Sequence, residues 1–138
     1  MKERLFTVQE ANALIPRLEL IMSRLQRHGL HLREQVSELA RQTGQTPEEL
    51  TTAQLLELRP ELHPVVEELD RLLTEIESFG GELKGLDLGL VDFPSEIDGK
   101  RVLLCWQYGE KEIAYYHARN AGFAGRKPIA DARPRYLQ

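Results

Sequence analysis

The sequence predicts an α+β fold: a long antiparallel helical hairpin followed by a three-stranded antiparallel β-meander. Three observations carry this. Two stretches place apolar residues three and four apart, the mark of amphipathic helices. After Gly80-Gly81 the period falls to two. From there to Arg126, short apolar runs alternate with glycine-containing turns. The 138 residues make one domain. Residues 7–80 form the hairpin with a short connector helix, 83–126 the meander and a Gly-rich turn, and 127–138 an extended tail.

The first helix starts at Thr7. Thr7 followed by Glu10 is a capping box, and Phe6 is placed to staple onto Ala11 or a neighbour. The apolar stripe runs Leu14, Leu18, Ile21, Leu25, His28, Leu32, Val36 and Leu39. Arg17, Arg24, Arg27, Glu34, Glu38 and Arg41 occupy the other face. Pro16 falls in the third turn, where a kink or frayed start is expected. Gly44 ends the helix. Thr46-Pro47-Glu48-Glu49 starts the connector helix, which runs to about Leu58. Pro60 and Pro64 interrupt it, and the next stripe is Leu62, Val65, Val66, Leu69, Leu72, Leu73, Ile76 and Phe79.

Asp98-Gly99 is a two-residue hairpin signal. Centring on it pairs Phe93 with Leu104 and Val91 with Trp106. A second turn at Gly109-Glu110 pairs Trp106 with Ile113 and Leu104 with Tyr115. One face then carries Val91, Phe93, Val102, Leu104, Trp106, Ile113, Tyr115 and His117, and packs on the helices. The other carries Leu90, Asp92, Leu103, Cys105, Ala114 and Tyr116. It needs a cover, either the tail through Ile129, Tyr136 and Leu137 or a second subunit.

Composition excludes several classes. The formal net charge is -4, against a general nucleic-acid binder; a basic patch is confined to Arg126, Lys127, Arg133 and Arg135. A single cysteine, Cys105, rules out an internal disulfide, and no Cys/His cluster has structural zinc spacing. The first residues lack an apolar signal core, and no apolar run is long enough to span a bilayer. A cytoplasmic protein with no membrane association is expected.

Several motifs are specific. They are Phe6-Thr7-Val8-Gln9-Glu10-Ala11-Asn12, Glu82-Leu83-Lys84 and Gly89-Leu90-Val91-Asp92-Phe93-Pro94. They continue with Leu104-Cys105-Trp106, Gly109-Glu110 and Gly122-Phe123-Ala124-Gly125-Arg126. In these the chain resembles an uncharacterised bacterial family, domain of unknown function 2203. The resemblance spans essentially the whole chain, except for the connector at 43–62. A Trp-His position of the family reads Tyr116-His117 here. The resemblance implies no activity.

The candidate site residues are therefore drawn from the meander: Asp92, Glu110, Glu112, His117 and Arg126. Carboxylates with an imidazole can bind a divalent metal or move a proton. The register above opposes this, since it sends Asp92 and His117 to opposite faces. Gly122 to Arg126 can cradle an anion or form a turn whose Arg126 pairs with a carboxylate, Asp92 first or one on a helix. Cys105, mid-strand among apolar residues, reads as an inert small hydrophobe. On balance the sequence favours a non-catalytic, self-associating interaction module, a homo-oligomer and most simply a dimer, without a cofactor. The alternative is a small-ligand or divalent-metal-dependent enzyme with its site around Asp92, His117 and Arg126.

Overall fold

The computed structural model describes residues 4–129. Thr7 caps α1 (Val8–Asn12): its hydroxyl accepts from Glu10 N–H at 3.0 Å, and Glu10 Oε1 accepts from Thr7 N–H at 2.8 Å. The expected single helix is broken here. The chain turns at Ala13-Leu14 and restarts as α2 (Ile15–Thr43), with Pro16 in its first turn. A proline lacks the N–H that a helix interior uses, and the first turn is the one place where that donor has no partner. The helix restarts where Pro16 demands it, instead of kinking around it.

Thr46 and Glu49 form the second expected capping box, but it closes only a 3₁₀ turn at Pro47–Glu49. The connector helix proper, α3 (Thr52–Leu58), has its own cap, Thr51 with Gln54. After Pro60, α4 (His63–Ser78) runs back along α2. Leu39 and Leu62 share a cluster at one end of the pair, and Arg17 meets Glu75 at the other, so the helices are antiparallel.

The sheet has five strands among the described residues, not three. They are β1 (Glu82–Gly85), β2 (Leu90–Ile97), β3 (Lys100–Gln107), β4 (Tyr115–Ala118) and β5 (Lys127–Pro128), in that order and all antiparallel. β1 is too short and polar to announce itself by alternation. β5 comes from the start of the stretch expected to be a tail. It is held to β4 and followed by the Ile129 N–H bonding Ala114 O at 2.9 Å. Ile129 is buried in the main core; the Tyr136 and Leu137 expectation lies outside the described residues.

The β2–β3 register is the one expected, with Phe93 opposite Leu104 and Val91 opposite Trp106. Asp98 and Gly99 take φ of 54° and 76°, the positive values that a tight hairpin turn demands. The β3–β4 register is shifted by one residue. Leu104 faces Tyr116, Cys105 faces Tyr115 and Leu103 faces His117.

The cause lies in the connection, residues 108–114, which is no two-residue turn. Glu110 closes on β3: its N–H donates to Gln107 O at 2.9 Å and its Oε1 accepts from Gln107 N–H at 2.7 Å. Ile113 leaves the ladder. Its N–H donates instead to Asn12 Oδ1 at 2.7 Å, and its side chain enters the core.

A one-residue slip exchanges the faces of a strand. Tyr116 now joins Val91, Phe93, Leu104 and Trp106 against the helices. His117 and Tyr115 move to the face of Leu90, Asp92, Leu103 and Cys105. That second face is not bare. Leu90, Asp92, Leu103, Cys105 and His117 are all buried within the chain. Gly122 and Phe123, in the loop after β4, border the cavity above them. Of the surface that motivated a dimer, Leu90, Asp92, Leu103 and Cys105 are thus already buried, while Ala114 is exposed.

Candidate metal centre

The slip in β4 creates the most chemically pointed cluster among the described residues. Asp92 on β2, Cys105 on β3 and His117 on β4 are 1%, 1% and 3% exposed. Asp92 and Cys105 are direct partners across the β2–β3 ladder. One ligand atom from each of the three lies within 4.8 Å of the others.

His117 Nε2 is 2.9 Å from Asp92 Oδ2, and its Nδ1 is 2.8 Å from the carbonyl of Ala118. A carbonyl oxygen only accepts, so Nδ1 carries the proton and donates it. Nε2 then offers its lone pair towards Asp92, or shares one proton with it. Burial raises the Asp92 carboxyl above its usual range, against the opposing pull of His117. A neutral pair sharing one proton satisfies this environment. Asp92 Oδ1, also buried, has no hydrogen-bond partner. A buried acceptor without a donor is costly, and such an atom in a folded chain calls for an explanation.

Burial pushes the Cys105 thiol up to about 12. Cys105 should therefore resist iodoacetamide in the folded, metal-free protein and react fully after denaturation. Rapid stoichiometric alkylation under native conditions would show an open, activated thiol instead.

A cavity of about 230 Å³ adjoins the cluster. Lys84 and Arg119 contribute to its wall, as do Gly122 and Phe123 from the loop after β4. Gly122 has φ 68°, a left-handed conformation that a side chain would strain.

The other expected site residues lie elsewhere. Arg126 does not reach Asp92. It grips Glu110 with one nitrogen 3.1 and 3.0 Å from the two carboxylate oxygens, and lies 4.0 Å above the Tyr115 ring and 4.9 Å from that of Phe123. Its role is to pin the downstream end of the Gly-rich loop. Glu110 is consumed by that ion pair and by the turn it closes. Glu112 is exposed and borders a separate groove with Phe6, Val8 and Asn12. Cys105, which the sequence alone reads as an inert small hydrophobe, is the member of the cluster outside the expected site residues. Its signal was present, because the hairpin register already put Asp92 and Cys105 side by side.

The model of an uncharacterised conserved protein family, DUF2203, matches residues 4–129. The chain belongs to this family. All of β1–β5 and the Asp92–Cys105–His117 cluster lie within the DUF2203 match. No match to the chain was found among curated proteins or solved structures. Among the described residues, no helix is long and apolar enough to cross a membrane.

Proposed function

We propose that this DUF2203 chain is a metal-dependent protein. Its centre, formed by Asp92, Cys105 and His117, takes one divalent ion of the zinc class. The observation that carries the reading is the convergence of three buried ligand atoms of different chemistry within 4.8 Å. Imidazole, thiolate and carboxylate together suit zinc, copper or cobalt better than magnesium or calcium. The Nδ1–H bond of His117 to Ala118 O is the outer contact that metal-bound histidines commonly make, leaving Nε2 for the ion.

Charge supports the same reading. Without metal, the shared proton and the neutral thiol leave the cluster uncharged. With metal, a 2+ ion replaces two protons, and the carboxylate and thiolate balance it. The buried site is neutral in both states and avoids the cost of a net buried charge. Three protein ligands beside a cavity match the pattern of catalytic zinc, where the fourth position is left to water or substrate. A self-associating module is the weaker reading, because Leu90, Leu103 and Cys105 of the face expected to mediate it are buried within the chain.

The test is direct. Protein purified without a histidine tag and stripped with a chelator should take up one equivalent of Zn²⁺ or Co²⁺. The Co²⁺ form should show a thiolate-to-metal charge-transfer band that is lost in Cys105→Ser, while circular dichroism confirms the fold of the variant. Failure of both ions to bind at one equivalent would sink the reading.

A further inference from the structure

We infer that the segment between β4 and β5 is a hinged cover over Asp92, Cys105 and His117, latched by Arg126. Its opening is the route by which ions and small reagents reach the three side chains. The inference goes beyond the metal reading, because the buried thiol reports on the cover with or without an ion.

Asp92, Cys105 and His117 are 1%, 1% and 3% exposed, so whatever reaches them requires part of the chain to move. The lining of the adjoining cavity shows which part. Lys84, Leu90, Asp92, Leu103, Cys105 and His117 belong to β1–β4, whose ladders tie each strand to its neighbours. Arg119, Gly122 and Phe123 are the lining residues outside the strands. The backbone bonds around them close within their own segment. Ala121 N–H donates to Ala118 O at 3.0 Å, Gly125 N–H to Gly122 O at 3.1 Å and Arg126 N–H to Phe123 O at 3.1 Å. Such bonds survive when the segment swings as a unit, and local opening takes the element least tied to the body.

Gly122 is the hinge. It has φ 68°, and beyond its chain neighbours no atom lies within 4 Å of where a side chain would begin. Arg126 is the latch. Its guanidinium holds Glu110 on the β3–β4 connection and lies over the rings of Tyr115, in β4, and Phe123, at the cavity wall. Releasing it loosens Phe123 from the sheet. Arg126 Nε is buried without a partner, so the closed latch leaves one donor unsatisfied, which lowers the cost of opening.

The experiment follows labelling of Cys105 by dithiodipyridine in chelator-stripped, full-length protein at a single pH under native conditions. Arg126→Gln and Phe123→Ala should each raise the rate by about tenfold or more. Phe123 is 36% exposed, so its truncation should leave the fold intact. Leu55→Ala, in the distal helical cluster, lowers global stability without touching the cover, and urea unfolding measures that stability in every variant. Labelling that rises only in step with lost global stability, in all three variants alike, would overturn the cover, since whole-chain unfolding would then expose the thiol. Labelling of Arg126→Gln and Phe123→Ala at the wild-type rate would also overturn it. Faster labelling in those two variants than their stability predicts, with no zinc uptake by the wild type, would uphold the cover and reject the metal centre. Zinc uptake at one equivalent with unchanged labelling in both would overturn the cover and leave the metal centre standing.

Discussion

Trp106→Ala should lower the unfolding free energy by about 3 to 5 kcal/mol. Trp106 is fully buried, in the middle of the helix-facing side of the sheet, opposite Val91. Truncation removes a large apolar surface and leaves a cavity between sheet and helices that neighbours fill only partly. It also removes a hydrogen bond, since the indole Nε1–H donates to Glu110 O at 3.1 Å. That second loss is local but consequential. Glu110 closes the turn that fixes the β3–β4 register and anchors Arg126. Trp106→Phe separates the two contributions, because it keeps most of the packing and deletes the donor. About 1 to 2 kcal/mol is expected for it. Denaturant midpoints for the two variants measure both. A midpoint for Trp106→Ala close to wild type would mean that the ring does not pack in the core.

Asp92→Asn should weaken divalent metal binding by more than about 100-fold. Losing even an outer contact to a metal ligand commonly costs 10- to 100-fold, and here a charged ligand is lost. The same substitution should leave the metal-free protein within about 1 kcal/mol of wild type. With Nδ1 of His117 donating to Ala118 O, Nε2 is an acceptor, and the amide of an asparagine can donate to it. The variant keeps that bond and removes a carboxyl whose ionisation the burial opposes.

The sign of the pH effect follows. The folded carboxyl is raised, so its contribution to stability is fully present below its unfolded range and is lost as pH rises through the folded value. The substitution removes that loss, so the variant should gain on wild type as pH rises towards neutral. Asp92→Ala, which leaves Nε2 without a partner, should instead cost about 1 to 3 kcal/mol. Zinc competition titrations and urea unfolding of the stripped proteins give the two numbers. Asp92→Asn losing several kcal/mol in the metal-free state would mean that the fold depends on a carboxylate–imidazolium pair.

The legible parts of this chain are those set by local chemistry. Thr7 and Glu10 cap α1, Gly44 ends α2, and Pro64 opens α4 because each acts within one turn of backbone. Asp98 and Gly99 fix the β2–β3 register because a two-residue loop leaves no freedom in strand pairing. From that register alone, Asp92 and Cys105 are neighbours. The family match adds membership, and the residues had to supply the chemistry.

What only the tertiary structure decided is the third member of the cluster. The connection between β3 and β4 has no residue pair that dictates its length in the ladder. Its outcome is set by Asn12, more than a hundred positions from Ile113 by chain order, whose side chain draws the Ile113 N–H out of the sheet. That one bond, with the Glu110 turn, shifts β4 by a single residue. Side chains alternate across a strand, so this shift carries His117 from the helix-facing side to Asp92 and Cys105. Arg126 went to Glu110 for the same reason: its partner is chosen by where the loop closes. A sequence determines the elements and the tight turn through contacts a few residues long. Which face a strand presents after a loose connection depends on a contact made across the whole fold.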